Sequence, residues 1–387
     1  MQAVLLLAGQ SSRFYPINTF GHKSMCFIYG KPLVYYAIED LKHAGIKKFV
    51  IVTAPNDDSV QNYFKDGKNF GIEIEYAVQT NPEGQIEAIR AAKDLITEDF
   101  ILSANSLHFG EFETLKLMLE KFHEAGVDAV LGGAYCENPW HYSAYELDGD
   151  KVLNLTEKPQ KGEQKSNIKK TFLETYKFEF LDKLLNEPQH PWANVFALNN
   201  YLKNHNVRLI MTPKGQFSAS FKFAWDLFRI RDRISELVNV NKEYPDARLV
   251  VGDNVNIAGS AKINGSCYLG SKTILNEGVL VEDSDLGENV VVGENSKIKN
   301  SIIMRGSRIG KNCMISDSII GPENIVGDNV IIESLKTDDS CISVEIKGQL
   351  EDTKLKSLGL ISGKGVTIHA GAHIGAGTLL AAGSSYK

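Results

Sequence analysis

The sequence predicts an α/β domain with a mostly parallel sheet, followed by a parallel β-helix of hexapeptide repeats. Two observations support this fold class: strand-like and helix-like segments alternate in the first half, and aliphatic residues recur every six positions from residue 251 onward. A chain of 387 residues is also long for a single core. We therefore predict an N-terminal domain over residues 1–240, a linker over 241–250 and a β-helix over 251–387.

The first half alternates short apolar runs, such as FVIVT and FILSA, with amphipathic segments. Short apolar runs suit strands that are covered on both faces, and strands separated by helices imply βαβ units. The predicted strands are residues 3–8, 48–53, 72–77, 100–104 and 129–135. The predicted helices are residues 32–44, 85–95, 112–125 and 224–240.

The second half has a different periodicity. Val251, Ile257, Ile263 and Leu269 are six residues apart, and after residue 281 the phase slips by one residue before the repeat resumes. Neither a helix nor an alternating strand has a period of six, whereas a parallel β-helix stacks an apolar corner on every coil. Residues 333–365 do not follow the repeat and are expected to leave the coil.

Composition narrows the classes of partner. The formal net charge of −6 argues against a nucleic-acid or anionic-membrane partner, and no apolar run is long enough to span a bilayer. The five cysteines are scattered without a CxxC pair. They fit reduced thiols better than a disulfide framework or a zinc site, which predicts a cytoplasmic protein.

The most specific segment is LLLAGQSSRFYPINTFGHKSM near the N-terminus. A strand ends at Ala8, Gly9 allows a sharp turn, and the following loop offers backbone N–H groups together with Arg13 and Lys23. Backbone donors and two cations suit a bound triphosphate. The alternative is an ordinary turn between strand and helix whose charges are solvated, and spacing by itself leaves both open.

This segment resembles the signature of sugar-1-phosphate nucleotidylyltransferases, the sugar-nucleotide pyrophosphorylases. In that family a strand leads into Leu-x-x-Gly-x-Gly-x-Arg, followed by Pro, Thr and a Pro-Lys pair. The matching residues are Gly9, Arg13, Pro16, Thr19 and Lys23. Ser11 stands where the second glycine is usual, and His22 replaces the proline before the lysine. The resemblance implies a Rossmann-like nucleotidyltransferase domain in which Arg13 and Lys23 contact the nucleotide phosphates and the sugar phosphate.

Further landmarks of the family follow in order. Gln79 and Gly84 resemble the Gln and Gly that recognise the base. The block YSAYELDGDKVLNLTEKP resembles the sugar-binding Tyr-Gly and the Glu-Lys-Pro motif, which implies that Glu157 holds the sugar and Lys158 its phosphate. Taken alone, Glu157–Lys158 is more typical of a surface turn, so the order of the landmarks carries the interpretation.

The combination with a β-helix is similar to bifunctional N-acetylglucosamine-1-phosphate uridylyltransferase/glucosamine-1-phosphate acetyltransferases. That resemblance implies a left-handed coil and binding of a nucleoside triphosphate or nucleotide sugar and a sugar 1-phosphate. It also implies a homotrimer, in which comparatively apolar faces such as SIIM and CMISDSII pack around a threefold axis. The alternative is a monomer with solvated faces.

Several positions depart from the family pattern. Magnesium normally bridges the phosphates and prefers carboxylate oxygens, but Ser106 and Ser220 stand at the usual positions of the two metal-binding aspartates. A different alignment makes Asp226 a metal ligand; the favoured one leaves it in the first turn of a helix. Ser143 replaces the glycine after Tyr142, and residues 173–175 read Leu-Glu-Thr instead of Asn-Ala-Gly. A Mg²⁺ cofactor is therefore possible, but its usual ligands are missing.

The β-helix also lacks the usual acyl-transfer residues. Lys311 occupies the position of the histidine base and Met314 that of the tyrosine, and a charged lysine cannot accept a proton. His369 and His373, in the late coils, are expected to be surface or corner residues. Two hypotheses follow: a sugar-1-phosphate nucleotidylyltransferase with unusual metal ligands, or a catalytically silent paralogue that binds a sugar nucleotide or its own family members and regulates or scaffolds them.

Overall fold

The computed structural model describes residues 1–81, 84–103, 111–187, 190, 192–213, 221–238 and 247–387. Contacts between Cα atoms divide the chain into two compact units. The first unit comprises Met1–Gln10 and Leu33–Ser220, and the second comprises Ser11–Pro32 and Phe221–Lys387. The segment Ser11–Pro32, which carries Arg13 and Lys23, therefore groups with the C-terminal half of the chain. The predicted boundaries at 240 and 250 stay a prediction.

The elements before residue 238 are short and alternate along the chain. The helices are α1 (Leu33–His43), α2 (Ser59–Phe64), α3 (Gln85–Ala91), α4 (Phe112–Phe122), α5 (Phe180–Leu185), α6 (Ala193–Leu202) and α7 (Asp226–Leu237). The strands are β1 (Gln2–Leu7), β2 (Phe27–Ile28), β3 (Lys31–Pro32), β4 (Lys48–Thr53), β5 (Glu73–Val78), β6 (Phe100–Ser103), β7 (Ala129–Tyr135), β8 (Ser143–Asp148), β9 (Lys151–Glu157), β10 (Ile168–Tyr176) and β11 (Val207–Met211). All predicted helices and strands of this region are present, two strands with the predicted bounds and the others with ends displaced by at most four residues.

The first unit is built on a sheet with the strand order β5-β4-β1-β6-β10-β7-β11-β9-β8. The predicted strands β5, β4, β1 and β6 pair in parallel, and β7 pairs in parallel with β11. Strand β10, which the sequence analysis did not predict, lies antiparallel between β6 and β7. Its sequence IKKTFLETY mixes charged and apolar residues without a regular period. For this reason the pattern does not indicate a strand in the centre of the sheet.

The second unit contains the β-helix, and the predicted hexapeptide coil is confirmed. Its strands are β12 (Ala247–Val251), β13 (Asn256–Ile257), β14 (Lys262–Leu269), β15 (Ile274–Leu275), β16 (Leu280–Glu282), β17 (Asp285–Leu286), β18 (Val291–Val292), β19 (Lys297–Lys299), β20 (Ile302–Ile303), β21 (Arg308–Ile309), β22 (Met314–Ser316), β23 (Ile319–Ile320), β24 (Ile325–Val326), β25 (Ile331–Ile332), β28 (Ile361–Ser362), β29 (Thr367–Ile368), β30 (His373–Ile374), β31 (Leu379–Leu380) and β32 (Ser385–Tyr386). These strands pair in parallel between successive coils. Strand β12 includes residues that the linker prediction covered; residues 241–246 of that linker lie outside the described residues.

The phase slip of the repeat has a structural cause. Over the middle of the β-helix, equivalent positions in successive coils are 17 residues apart, as from Ser284 to Ser301 and from Ser301 to Ser318, whereas the first and last coils repeat every 18. A coil of three equal six-residue sides would repeat every 18, so one side is a residue shorter. The short side runs from Val281 to Leu286, both in the core of the coil, and Asp283 between them adopts the left-handed conformation with φ of 45°.

One face of the β-helix is covered by the chain itself. Its central outward-facing residues are buried: Tyr268, Asp285, Ile302, Ile319 and Ile361. Tyr29 from the segment Ser11–Pro32 contacts two of them, and Arg231 of α7 bonds to Asn300 at the edge of the face. The expectation that the SIIM face is free for assembly is therefore wrong, because Ile302 and Met304 are buried within the subunit.

The non-repeating excursion forms a hairpin, as a departure from the coil requires. Strands β26 (Ser343–Ile346) and β27 (Gln349–Asp352) pair antiparallel, and the coil resumes at β28. Ile342, Val344 and Ile346 are buried, whereas Leu350 near the tip is exposed. Within the described ranges, none of the helices combines the length and apolar character that a bilayer crossing requires.

Candidate functional site

The loop that carries Arg13 begins with a serine in a glycine-like conformation. Ser11 has φ of 50°, in the left-handed region that glycine adopts most readily. This is the position at which the resembling family has its second glycine, so the backbone turn is kept although the residue differs. The Ser11 hydroxyl accepts a hydrogen bond from the Lys23 backbone N–H at 3.3 Å. Arg13 follows in the 3₁₀ turn Ser12–Phe14 with its side chain exposed.

Lys23 is held in a largely desolvated position. Its Nζ donates to the Phe221 carbonyl oxygen at 2.6 Å and lies 5.1 Å from the centre of the Phe221 ring. Burial lowers the pKa of Lys23 to about 8, while the charge of Asp226 opposes that shift and the charge of Arg13 adds to it. A partly buried ammonium beside a second cation favours an anionic ligand, because such a ligand would restore the lost solvation.

His22 preserves the backbone that proline would fix. Its φ is −62°, close to the value that a proline ring imposes. The buried His22 ring accepts a hydrogen bond through Nδ1 from the Ser24 backbone N–H at 3.2 Å. The turn around Lys23 is therefore stabilised by a side-chain hydrogen bond at the position where the family has a ring constraint.

Asp226 is the first residue of α7, as the favoured alignment predicts. Its Oδ2 accepts hydrogen bonds from the backbone N–H groups of Lys222 and Phe223 at 2.8 and 2.9 Å, and its Oδ1 lies 3.4 Å from Arg229 Nη2. A carboxylate at a helix N-terminus is stabilised in this way without a metal ion. Its role as a metal ligand stays a prediction.

The residues described do not fit a magnesium site. No group of three His, Cys, Asp or Glu side chains converges anywhere in the described ranges. Both oxygens of Asp226 have protein partners. Ser106 and Ser220, the residues at the usual aspartate positions, lie outside the described residues.

In the first unit the structure brings the two predicted base-recognition residues together. The Gln79 side-chain amide donates to the Gly84 carbonyl oxygen at 3.2 Å and to the Asn81 carbonyl oxygen at 2.7 Å. Gly84 has φ of 92° and directly precedes α3, so glycine is the residue that fits this turn. Gln79 itself is buried and thereby fixes the loop that begins the helix.

The two predicted sugar landmarks are also joined. Ser143 of β8 pairs with Glu157 of β9, and the Ser143 hydroxyl donates to the Glu157 carboxylate. The Lys158 backbone N–H donates to the Tyr142 carbonyl oxygen at 3.1 Å. Lys158 has φ of 45°, an unfavourable region for a residue with a Cβ, and its side chain is exposed.

Comparisons with known proteins bear on both units. The profile described as "Nucleotidyl transferase" matches residues 2–226, more than half of the chain. The chain belongs to the nucleotidyl transferase family. A second profile, described as "GMPPB C-terminal domain", matches residues 245–382, which include most of the β-helix.

Relatives of the nucleotidyl transferase domain are moderately similar. The glucose-1-phosphate thymidylyltransferase of Neisseria gonorrhoeae is 33% identical over 171 residues, which cover 41% of this chain and 56% of that protein. The bifunctional protein GlmU of Methanococcus maripaludis is 26% identical over 270 residues, covering 68% of this chain and 60% of that protein. The chain thus spans little more than half the length of these relatives.

A solved structure supports the fold of this family member. It is a Bacillus anthracis protein described as a candidate glucose-1-phosphate thymidylyltransferase, solved with sucrose. It aligns with a TM-score of 0.52 and 20% identity, over 63% of this chain and 99% of that one. At this identity the likeness concerns the fold alone.

The tripeptide Leu173–Glu174–Thr175 contributes Glu174 to a buried ion pair that sequence reasoning missed. Glu174 and Lys170 of β10 are 2.9 Å apart and both side chains are almost fully buried. The Tyr176 hydroxyl donates to the same carboxylate, and Glu174 pairs with Leu102 and Leu131 on the neighbouring strands. The spacing of four residues suggested no contact in a strand; a register shift between Lys170 and Glu174 brings the two side chains together.

The acyl-site positions lie on the surface of the β-helix. Lys311 forms an exposed ion pair with Glu294 at 3.2 Å, and Met314 of β22 is half exposed. An exposed pair of this kind contributes little stability. His373 is exposed and 2.8 Å from Glu333, and the His369 ring is 2.9 Å from the Ser385 hydroxyl. Both histidines are surface residues, as predicted.

Proposed function

We propose that this chain binds a nucleoside triphosphate and a sugar 1-phosphate and forms a nucleotide sugar with release of pyrophosphate. The observation that carries the proposal is Lys23, a desolvated ammonium fixed by the Phe221 carbonyl and close enough to Arg13 for the two charges to interact. Two cations at such a position suit a polyphosphate. Membership of the nucleotidyl transferase family and the thymidylyltransferase relatives support the same substrate class.

In the proposed reaction a phosphate oxygen of the sugar 1-phosphate attacks the α-phosphorus of the nucleotide. A new P–O bond forms, and the bond from the α-phosphorus to the bridging oxygen breaks, so that pyrophosphate leaves with the electron pair. Arg13 and Lys23 would stabilise the phosphate charge, Gln79 and Gly84 would hold the base, and Glu157 and Lys158 the sugar phosphate. No step is assigned to a metal ion, because the described residues do not gather ligands for one.

A second candidate is a silent paralogue that binds a nucleotide sugar without turning it over. It is favoured by Asp226, whose oxygens are occupied by two backbone amides and Arg229. It is also favoured by Ser143, whose hydroxyl occupies an oxygen of the carboxylate expected to bind the sugar. Both features reduce the number of carboxylate oxygens available to substrates or to Mg²⁺, whereas the two cationic side chains, Arg13 and Lys23, remain.

One experiment separates the two candidates. Calorimetry with UTP, dTTP, GTP and the corresponding nucleotide sugars, each with and without magnesium, measures binding. Pyrophosphate release with glucose 1-phosphate or N-acetylglucosamine 1-phosphate measures turnover on the same protein. Binding with turnover supports the enzyme, binding without turnover supports the silent paralogue, and no binding of any of these ligands rejects both.

We also propose that the protein is a cytoplasmic homotrimer. The cytoplasmic location is supported by five free cysteines, of which Cys26, Cys267 and Cys313 are buried. The trimer is supported by the partly exposed Met314 and Ile331, which pair on neighbouring coils and leave an apolar strip on the β-helix.

A further inference from the structure

A β-hairpin follows Lys23 directly in the chain. Strands β2 and β3 pair antiparallel, and Tyr29 and Gly30 form the two-residue turn between them. Their φ values are 49° and 76°, and tight hairpin turns with positive φ at both positions normally use Asn and Gly. A tyrosine in this conformation is strained, and such strain persists only where the surroundings impose it.

The β-helix supplies those surroundings. The Tyr29 backbone N–H donates to Oδ2 of Asp285 at 2.6 Å, and the Tyr29 ring packs against that of Tyr268 with centroids 5.7 Å apart. The Tyr268 hydroxyl also fits closely over Gly30, because a Cβ atom at that position would clash with the hydroxyl oxygen. The hairpin tip is therefore shaped to one place on the coil.

Asp285 is an exception among the outward-facing residues that stack on one another along this face of the β-helix. The equivalent outward positions of the next coils are Ile302, Ile319 and Ile361, and all of them are buried. Stacking alone would favour another isoleucine, since burying a carboxylate is unfavourable unless its hydrogen bonds compensate. Burial raises the pKa of Asp285 to about 7, and the Tyr29 hydrogen bond and the Arg231 charge only partly oppose this. The acid is therefore better explained by the hairpin that it binds than by the coil.

A second contact fixes the other side of Lys23. Its ammonium bonds to the Phe221 carbonyl, and the chain then enters α7, which carries the buried Arg231. Arg231 Nη2 donates to Oδ1 of Asn300 on the β-helix at 2.6 Å. Lys23 is thus connected to the coil both through the hairpin tip and through α7.

We propose that Asp285 is a positioning residue: by holding the hairpin tip, the β-helix fixes the geometry of Lys23 for phosphate binding. The choice of ligand in this inference rests on the proposed function, whereas the contact between Asp285 and the hairpin does not. It assigns the C-terminal domain a role in nucleotide binding that does not depend on acyl transfer.

The contact is tested first without any ligand, by hydrogen exchange on the full-length protein. Asp285→Ala should accelerate exchange of the amides of residues 23–32 by about tenfold, the effect of losing one buried hydrogen bond, with the coil interior unchanged. Asp285→Asn keeps an acceptor oxygen and should largely restore protection. The matched control is Glu294→Ala, which removes an exposed carboxylate from the same β-helix. Unchanged exchange in residues 23–32, or equal acceleration throughout the coil, overturns the proposal.

Affinity for dTTP and UTP is measured next on the same variants. Asp285→Ala should weaken binding by about tenfold, Asp285→Asn by less, and Glu294→Ala not at all. If the wild-type protein binds neither nucleotide, the proposed function fails while the exchange data still decide the contact. If Asp285→Ala loosens the hairpin but leaves affinity unchanged, the positioning role is rejected. Should Asp285→Ala not fold, Gly30→Ala disturbs the same contact from the hairpin and must give the same two results.

Discussion

Replacing Lys23 by alanine is the most direct test of the phosphate site. The change removes a positive charge that the fold has already desolvated and oriented on the Phe221 carbonyl. A hydrogen bond to a charged group contributes about 1.5–3 kcal/mol, so the variant should bind nucleotide or nucleotide sugar about 10- to 150-fold more weakly. The matched control is Lys297→Ala, an exposed lysine on the β-helix, which should leave the affinity unchanged.

The lowered pKa of Lys23 adds a pH dependence with a definite sign. With a pKa of about 8, about nine tenths of the Lys23 side chains are charged at pH 7 and about one tenth at pH 9. Wild-type affinity should therefore fall over this range toward that of Lys23→Ala, which lacks the titrating group. A polyanion favours the charged ammonium and raises its pKa, so binding near pH 8 should take up protons.

Isothermal calorimetry measures both effects. Titrations at pH 7 and 9 give the affinities, and repeating them at pH 8 in buffers with different ionisation enthalpies gives the proton uptake. Equal affinities for the wild type and Lys23→Ala at pH 7 would refute the assignment of Lys23 to the phosphate site. A ratio of affinities that does not change with pH would show that the lysine binds but is not desolvated as described.

The remaining predictions concern the metal positions, the buried charges and assembly. Ser106→Asp combined with Ser220→Asp should increase magnesium-dependent pyrophosphate release, and no gain in a folded, nucleotide-binding double mutant would show that more than metal ligation is missing. The free energy of unfolding of Asp285→Asn should increase relative to that of the wild type by about 3–4 kcal/mol as pH rises from 4 to 7. The reason is that the folded wild type retains a proton on Asp285, whose pKa is raised from 3.8 to about 7, whereas the unfolded chain has released it. Urea unfolding measures this difference, and a difference that stays constant with pH would contradict the prediction. Glu174→Gln should destabilise the fold by about 3–5 kcal/mol, since it leaves the Lys170 charge buried without its partner, and Glu174→Leu with Lys170→Met should recover most of that loss. Light scattering on the full-length chain should give a trimeric mass, and a monomer at micromolar concentration would reject the assembly.

Several parts of the candidate site could be predicted because they are local in sequence. Ser11 and His22 differ from the expected Gly and Pro, yet Ser11 adopts a left-handed conformation that suits glycine and His22 a φ that suits proline. Gln79 and Gly84 are five residues apart and meet through one turn. The motif order along the chain was therefore enough to identify these residues, although their roles in binding stay predictions.

Both fold classes and most of the predicted elements follow from the amino-acid order without any coordinates. Periodicity is a local property: whether a side chain faces the core depends on its position within a repeat of two or six residues, and that repeat can be counted directly. Even the phase slip after Val281 was visible, and the structure explains it by coils that repeat every 17 residues in the middle of the β-helix. What periodicity cannot reveal is which distant segments meet.

The grouping of the segment Ser11–Pro32 with the C-terminal unit is visible only in three dimensions. Tyr29 and Asp285 are 256 positions apart, and the buried Lys170–Glu174 pair depends on a register shift within one irregular strand. In each case a charged residue is buried because a specific partner meets it in space. Desolvation and hydrogen bonding act between residues that are neighbours in the folded chain. Such contacts between distant residues leave no periodic pattern in a single sequence.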